Sequence, residues 1–313
     1  LRRPWWKAAF QPKPTKTEMT MMNLSWRKKN LIPSRIIEYL CIGHLTEDLT
    51  DDGVQLGGTA AYSTLTAQAF GLSCGLISSY KERALPSEFN LMTSNLQITE
   101  QMIQFENRYQ GDTRTQHLRH NTKQLSLPDL NTIVKQTEIL HFGPILNDFP
   151  IEVIRHFPDN YVALTPQGWL RTVEKGVVKN APYTILYKAL PYTDAVVISQ
   201  EDIDYNQQAV RSIAKRCKLL VITNGFHGAE VIWQGKRRSF QASRRQEVDP
   251  TGAGDIFAAI FFILNFHGYS PWEAGKIATE IAALTVTRKG LQSIPKSSEI
   301  LNTIYKYSTS ETN

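Results

Sequence analysis

The sequence predicts an α/β domain in three layers, α/β/α, with a mostly parallel central sheet and a small β-sheet lid. Three observations carry this expectation. From Ile36 onward, short β-rich apolar runs alternate with helical spans, the pattern of strands joined by crossover helices that cover both faces of a sheet. The segment from Gln101 to Leu118 breaks that rhythm, with near-alternation of apolar and polar residues around Gly111-Asp112, which reads as a hairpin apart from the main sheet. Finally, the Gly-rich run Asp249-Pro-Thr-Gly-Ala-Gly-Asp255 stands directly before the unbroken apolar stretch Ile256–Phe266, as a loop feeding a buried helix would.

Taken in order, Ile36–Ile42 reads as a strand ending at Gly43, and Gly57-Gly58 opens a helix that runs from Thr59 to Gly71. Leu76-Ile-Ser78 is a brief strand, and the hairpin follows. Ile139–Phe142, Tyr161–Leu164, Ala195–Ile198, Leu219–Ile222 and Glu230–Trp233 are further strands, with helical spans at Ile151–Phe157 and Tyr205–Arg216. The last long apolar helix starts near Asp255 and stops by Gly268, because glycine favours the residue past a helix end. The expected organisation is a basic leader over residues 1–34, a domain over 35–305 whose lid comes from about 45–57 and 98–120, and a polar tail over 306–313.

Charge argues against a nucleic-acid partner. The chain's net +6 is held by its first 35 residues, which carry nine Lys/Arg against one acid, while the remainder carries 26 basic and 28 acidic groups. The leader is rich in Pro and Thr and lacks periodicity, and Lys236-Arg-Arg238 and Arg244-Arg245 lack interleaved aromatics, so they read as a solvated face. No apolar run approaches the eighteen or so residues that a bilayer crossing needs. Cys41, Cys74 and Cys217 are odd in number and far apart, which fits free thiols in a reducing, cytoplasmic compartment better than a disulfide framework or a zinc site.

The chemistry concentrates at Asp249–Asp255. Gly252-Ala253-Gly254 lies just before a helix N-terminus, where unpaired N–H groups and the positive end of the helix dipole bind anions. Asp255 alone could be an N-cap. A second acid, Asp249, six residues earlier, favours chemistry: a carboxylate beside a phosphate cradle can take a proton from an attacking hydroxyl, and Asp249 can stand near a bound cation or its waters.

This run resembles the signature of the ribokinase-like, or PfkB, carbohydrate kinase family, and other landmarks follow in order over nearly all of residues 36–300. Gly57-Gly58 with Thr59-Ala-Ala-Tyr-Ser63 is similar to the family's Gly-Gly motif, and Asp48 to its acid after the first strand. Thr223-Asn-Gly225-Phe-His-Gly228 resembles the Thr-x-Gly-x-x-Gly stretch beside the nucleotide, and Ala282-Ala283 through Gly290 and Pro295 the C-terminal helix and turn near the adenine. The resemblance implies an ATP-dependent phosphotransferase with Asp255 as general base and Gly252, Ala253 and Gly254 stabilising charge on the transferred phosphoryl group. It places Thr223, Gly225, Gly228, Thr251 and Ala283 around ATP. Mg2+ would lie near Asp249, Asp202 and Glu201, held through water, with a monovalent cation as a further candidate cofactor. The lid would close over the substrate, and its edge is a candidate homodimer surface.

Two departures bear on these roles. Pro250 stands where Thr is usual, and the Asn-x-x-Glu motif appears as Ser199-Gln-Glu-Asp202, which keeps oxygen ligands with shorter reach. For the acceptor, the wording of Phe105-Glu-Asn107, Arg114-x-Gln116 and Thr165-Pro-Gln-Gly-Trp-Leu-Arg171 resembles the inositol-kinase-like subgroup. Asp48, Gly57, Gly58, Asn107, Arg114 and Gln116 are then the expected contacts to a small-molecule polyol. A nucleoside kinase of the same fold would want an aromatic surface, for which Tyr62 is the obvious candidate, and a non-catalytic binding or scaffold protein would be expected to have lost Asp255.

Overall fold

A computed structural model describes residues 37–50, 53–82, 85–110, 113–127 and 133–309. The leader and the hairpin tip Gly111-Asp112 fall outside the described residues.

The main sheet has nine strands in the order β15-β14-β13-β12-β9-β8-β1-β4-β5. These are β1 (Ile37–Ile42), β4 (Cys74–Tyr80), β5 (Leu91–Ile98), β8 (Thr137–Phe142), β9 (Tyr161–Leu164), β12 (Ala195–Ser199), β13 (Leu219–Thr223), β14 (Ala229–Trp233) and β15 (Lys236–Phe240). From β13 to β5 the pairs are parallel, and only β14 and β15 run antiparallel. Alternation along each central strand divides the core. Val197 and Val221 face one apolar layer, while Val196, Ile198, Leu220 and Ile222 face the other, as a sheet buried on both sides requires.

The first layer is helical: α1 (Thr59–Ala69), α3 (Ala253–Phe266), α4 (Pro271–Thr285) and α5 (Ser297–Thr309). Every residue of α3 from Ile256 to Leu264 is buried, so this helix is apolar all round. The opposite layer is thinner. It holds α2 (Gln207–Ala214) and several 3-10 turns, among them Ile151–His156 and Tyr183–Lys188.

Several expectations shift for local reasons. Ile151–Phe157 forms six residues of 3-10 helix behind Pro150, a segment too short to repay α-helix nucleation. The span from Tyr205 begins late because Asp204 and Tyr205 adopt positive φ (51° and 54°), and Asn206 then caps α2 by accepting from the Gln208 and Ala209 amides. The brief strand at Leu76 is part of the seven-residue β4. Lys236-Arg-Arg238 lies on the edge strand β15, where charge discourages pairing with another chain. At the C-terminus α5 continues to Thr309, four residues past the expected end of the domain, so residues 306–309 are helical.

The second sheet has six strands, β10-β11-β7-β6-β2-β3. β2 (Thr46–Thr50), β3 (Gly53–Gly57), β6 (Ile103–Gln110) and β7 (Thr113–His120) lie within the expected lid segments. β10 (Arg171–Glu174) and β11 (Val177–Asn180) were not foreseen. Their turn, Lys175-Gly176, has positive φ at both residues (51° and 80°), the geometry that closes a two-residue hairpin. Ile103, Phe105, Ile145 and Leu146 form a small separate core where this sheet meets the main one.

Candidate active site

A cavity of about 980 Å3 runs between the lid and the carboxyl ends of the main strands, the position where open α/β sheets bind ligands. At its floor α3 begins. Gly252 caps the helix in the left-handed region (φ 78°) and offers no side-chain cap. A Cβ there would lie 2.4 Å from the Tyr62 ring, so both the backbone conformation and the contact demand glycine. The Ala253 amide is taken by the Pro250 carbonyl at 3.2 Å, and the first helical bond runs from Ile256 to Gly252. The Gly252, Gly254 and Asp255 amides are left to face the cavity, and a Cβ on Gly254 would meet nothing within 4 Å. This is an anion cradle open on its outer side.

Asp255 sits in the first turn of α3, open only to the cavity. Burial pushes its pKa up to about 6, opposed by the Thr59 hydrogen bond and the Arg171 guanidinium. Thr59 Oγ1 donates to Asp255 Oδ1 at 2.6 Å, which leaves the second carboxylate oxygen uncommitted and holds the side chain in place. A carboxylate with a pKa near the working pH is suited to general-base work.

Asp249 ties two backbone segments together. Its Oδ1 accepts from the Thr251 amide and its Oδ2 from the Gly290 amide, both at 2.9 Å. It clips the loop before α3 to the turn after α4 and is absent from the cavity lining. Glu201 and Asp202 do line the cavity. Asp202 is buried, with Oδ2 accepting from the Ser199 amide at 3.1 Å and Oδ1 from Gln167 at 3.3 Å, and burial holds its pKa above the ordinary value. No group of three or more His, Cys, Asp or Glu among the described residues could hold a metal. The donor set fits Mg2+ carried mainly by phosphate oxygens and water, with Glu201 and Asp202 nearby, which is how Mg2+ commonly binds in phosphoryl-transfer sites.

At the lid end, Thr46, Asp48, Asn107 and Gln116 point into the cavity from β2, β6 and β7. Asn107 and Gln116 face each other across the β6–β7 ladder and are bonded at 3.2 Å. Gly57 stands opposite Thr46, where a Cβ would meet the Asp48 carboxylate at 2.4 Å, so it gives Asp48 room and makes no wall itself. Gly58 does line the cavity. Arg114 is on β7 opposite Tyr109, and its side chain lies outside the described residues. At the other end, Thr223, Gly225, Gly228, Thr251 and Ala283 line the cavity, with the exposed Phe226 and the loop residues Arg244 and Arg245.

Several cavity residues escaped the site expected from sequence. Gln167 and Arg171 follow the end of β9, and Arg171 acts electrostatically on both Asp202 and Asp255. Their position beyond a strand's carboxyl end was the available signal. Arg244 and Arg245, read as a solvated face, border the cavity, and Arg245 is 3.6 Å from Glu280. His44 is buried, with its Nδ1 2.7 Å from Ser79 Oγ, and does not line the cavity. Cys41 and Cys74 are buried and Cys217 half-buried, all as free thiols.

A deep site between a mostly parallel sheet and a β lid, floored by a glycine-capped helix and a half-buried carboxylate, defines the ribokinase-like class. Residues 189–297 match the pfkB family carbohydrate kinases, so the chain carries a PfkB segment on a ribokinase-like fold. An uncharacterized sugar kinase of Pyrococcus horikoshii is 28% identical over 192 residues, covering 56% of this chain and 59% of that protein. The match thus spans less than two thirds of that relative's length. Among solved structures, a pyrophosphate-dependent kinase in the ribokinase family, complexed with a pyrophosphate analog and myo-inositol, superimposes with TM-score 0.70 at 20% identity, covering 84% of this chain and 99% of that one. Arabidopsis thaliana ribokinase, complexed with ribose and ATP, gives TM-score 0.64 at 18% identity, covering 86% and 99%. At these identities the structural likenesses establish the fold.

Proposed function

We propose that this protein is a kinase that transfers a phosphoryl group from a polyphosphate donor to a hydroxyl of a small polyol. The observation that carries the reading is Asp255: a carboxylate with raised pKa, oriented by Thr59, directly beside the unpaired amides of Gly252 and Gly254. In the reaction, the acceptor hydroxyl gives its proton to Asp255 as its oxygen bonds to the terminal phosphorus. The bond from that phosphorus to the leaving phosphate breaks, and the cradle amides hold the charge that builds on the transferred group. Mg2+ bound with the donor would neutralise phosphate charge beside Glu201 and Asp202. The lid would keep water from competing for the phosphoryl group.

Asp48, Asn107 and Gln116 present both donors and acceptors to the acceptor end, a set suited to a ring bearing several hydroxyls, and an inositol-like polyol is favoured. Tyr62 supports this over a nucleoside: its ring is buried against Gly252 and is not free to stack on a base. ATP is the leading donor, with the slot between Phe226 and Ala283 for its base. Arg244 and Arg245 beside the cavity also suit inorganic pyrophosphate as donor, a second reading that the pyrophosphate-dependent neighbour favours.

The test is a turnover screen crossing ATP and pyrophosphate with inositols, hexoses, pentoses and nucleosides, run on wild type and Asp255→Asn. The expected result is polyol-dependent phosphate transfer that Asp255→Asn lowers by about 10^2–10^4-fold. No polyol-dependent turnover with either donor, or a mutant with full activity, would sink the proposal.

A further inference from the structure

Among the described residues, three arginines line the cavity: Arg171, Arg244 and Arg245. Arg244 and Arg245 are exposed, on the loop at the donor end. Arg171 is half-buried and set apart from them. Its Nη1 donates to the Ile145 carbonyl at 3.4 Å, and its guanidinium carbon is 5.9 Å from the centre of the Phe105 ring. Phe105 and Asn107 are alternate residues of β6, and both line the cavity, so this contact sets the guanidinium against the lid. The same charge acts on Asp255 and Asp202 at the floor. Arg171 therefore stands where the two ends of the cavity meet.

The chain around Arg171 ties it to both ends. Arg171 opens β10 and pairs with Asn180 on β11. Asn180 Nδ2 donates to the Glu201 carbonyl at 2.7 Å and to Asp204 Oδ1 at 2.6 Å. Gln167, in the turn before β10, donates to Asp202 Oδ1 at 3.3 Å. The far end of the hairpin is bonded to the lid, where the Leu118 amide donates to the Gly176 carbonyl at 2.8 Å. One guanidinium is thus fixed relative to the lid strands and to the Glu201–Asp202 turn together.

Charge indicates what it serves. Asp255, Asp202 and Glu201 all line the cavity, and a polyphosphate donor would bring further negative charge beside them. The cradle answers with partial charges only, about half an elementary charge at a helix N-terminus. A full positive charge between lid and base falls where the acceptor oxygen and the transferred group must come together. We propose that Arg171 is a catalytic residue that donates hydrogen bonds to the oxygens of the phosphoryl group as it passes to the acceptor hydroxyl. A planar guanidinium fork matches phosphate oxygens and stays charged throughout, so Arg171 neither gives nor takes a proton. The acceptor proton still goes to Asp255 as its oxygen bonds to phosphorus and the bond to the leaving phosphate breaks. This inference rests on the kinase reading and adds to it a second source of transition-state charge, carried by the lid-linked hairpin and not by the helix cradle.

The test separates this role from one confined to keeping the carboxylates charged. The pH profile of kcat is measured with the best donor and polyol from the screen, for wild type, Arg171→Met and Arg171→Lys. Loss of a guanidinium that only favours ionised Asp255 would shift the midpoint and leave the high-pH plateau unchanged. Loss of one that holds the transferred group is expected to lower the plateau of Arg171→Met by about 10^2-fold or more. The acceptor KM should stay within about threefold, as for an interaction made in the transition state. Arg171→Lys keeps a charge without the fork and should lie between the two, about tenfold below wild type. Thermal melting checks that the variants fold, and Arg171→Lys decides the matter if Arg171→Met does not. A wild-type plateau in either folded variant overturns the inference, and so does a change confined to the acceptor KM, which would make Arg171 an acceptor contact. Both of these outcomes leave the kinase reading standing. A wild type that turns over no polyol with either donor removes the kinase reading, and the role of Arg171 in the transfer falls with it.

Discussion

The two ends of the cavity are built from different materials. The floor, where α3 begins, offers backbone: the Gly252, Gly254 and Asp255 amides, positioned by the left-handed cap and by the Asp249 clip to Thr251 and Gly290. The lid end offers side chains, Thr46, Asp48, Asn107 and Gln116, projected from strands β2, β6 and β7. Phosphate is the same in every donor, so a fixed cradle of amides serves. Acceptors differ in the placement of their hydroxyls, and side chains on a lid can change one at a time without disturbing the cradle.

That contrast predicts the most damaging change at the floor after the base itself. Gly252→Ala forces an L-residue into φ 78° and pushes a Cβ to 2.4 Å from the Tyr62 ring. The left-handed conformation alone costs about 1–2 kcal/mol, and the cap must shift to relieve the contact. The amides aimed at the phosphate move with it, so kcat should fall by about 10^2-fold or more, as when a transition-state donor is misplaced. Thermal melting would report the stability loss and steady-state kinetics the rate. A variant with wild-type kcat would mean that the cradle is not the phosphate site.

The same contrast explains which parts were legible in the sequence. A backbone cradle imposes residue types on consecutive positions, so Asp249–Asp255 stood out in one reading frame, and the long apolar run behind it marked α3. The lid end draws on Thr46, Asn107 and Arg171, each dozens of positions from the next, and of these only Asn107 was among the contacts expected from the sequence. Only the sheet order, with β1 between β8 and β4 and the lid strand β2 beside β6, brings them together. The β10–β11 hairpin was missed because its strands are four residues long and its turn signal is a single Lys175-Gly176. The Asp249 bonds to Thr251 and Gly290 were not legible, because a carboxylate beside a phosphate loop looks the same in sequence whether it faces a ligand or ties the loop from behind.

At the lid end, Asp48→Asn sharpens the comparison. Substitution keeps the size and removes the charge, so a substrate hydroxyl loses a charge-assisted hydrogen bond. The expected result is a rise in acceptor KM of about 10–100-fold with the donor KM nearly unchanged. If both KM values rise together, the two ends are not separable, and the lid contributes to the donor site as well.

The smallest effects come from the ionisation of Asp255, where the two ends meet through Arg171. With a folded pKa of about 6, the carboxylate is protonated and unable to act as base below that pH. The kcat/KM for the acceptor should therefore rise with pH to a plateau above about 6 to 7. Arg171 favours the charged form, so Arg171→Met should move the midpoint upward. The same ionisation bears on stability with the opposite sign. The folded pKa lies above the unfolded value of 3.8, so the folded state favours the protonated form, and that advantage is lost as pH rises through about 4 to 6. Asp255→Asn carries no such penalty. After allowance for the cavity water that reaches this half-buried carboxylate, the variant should be more stable than wild type by about 1–2 kcal/mol at pH 8 and little different at pH 4. Denaturant titrations at the two pH values measure this directly. A stability gain that grows as the pH-rate profile loses its acid limb would place both effects on the one carboxyl group, because no other cavity residue would then be needed to explain either.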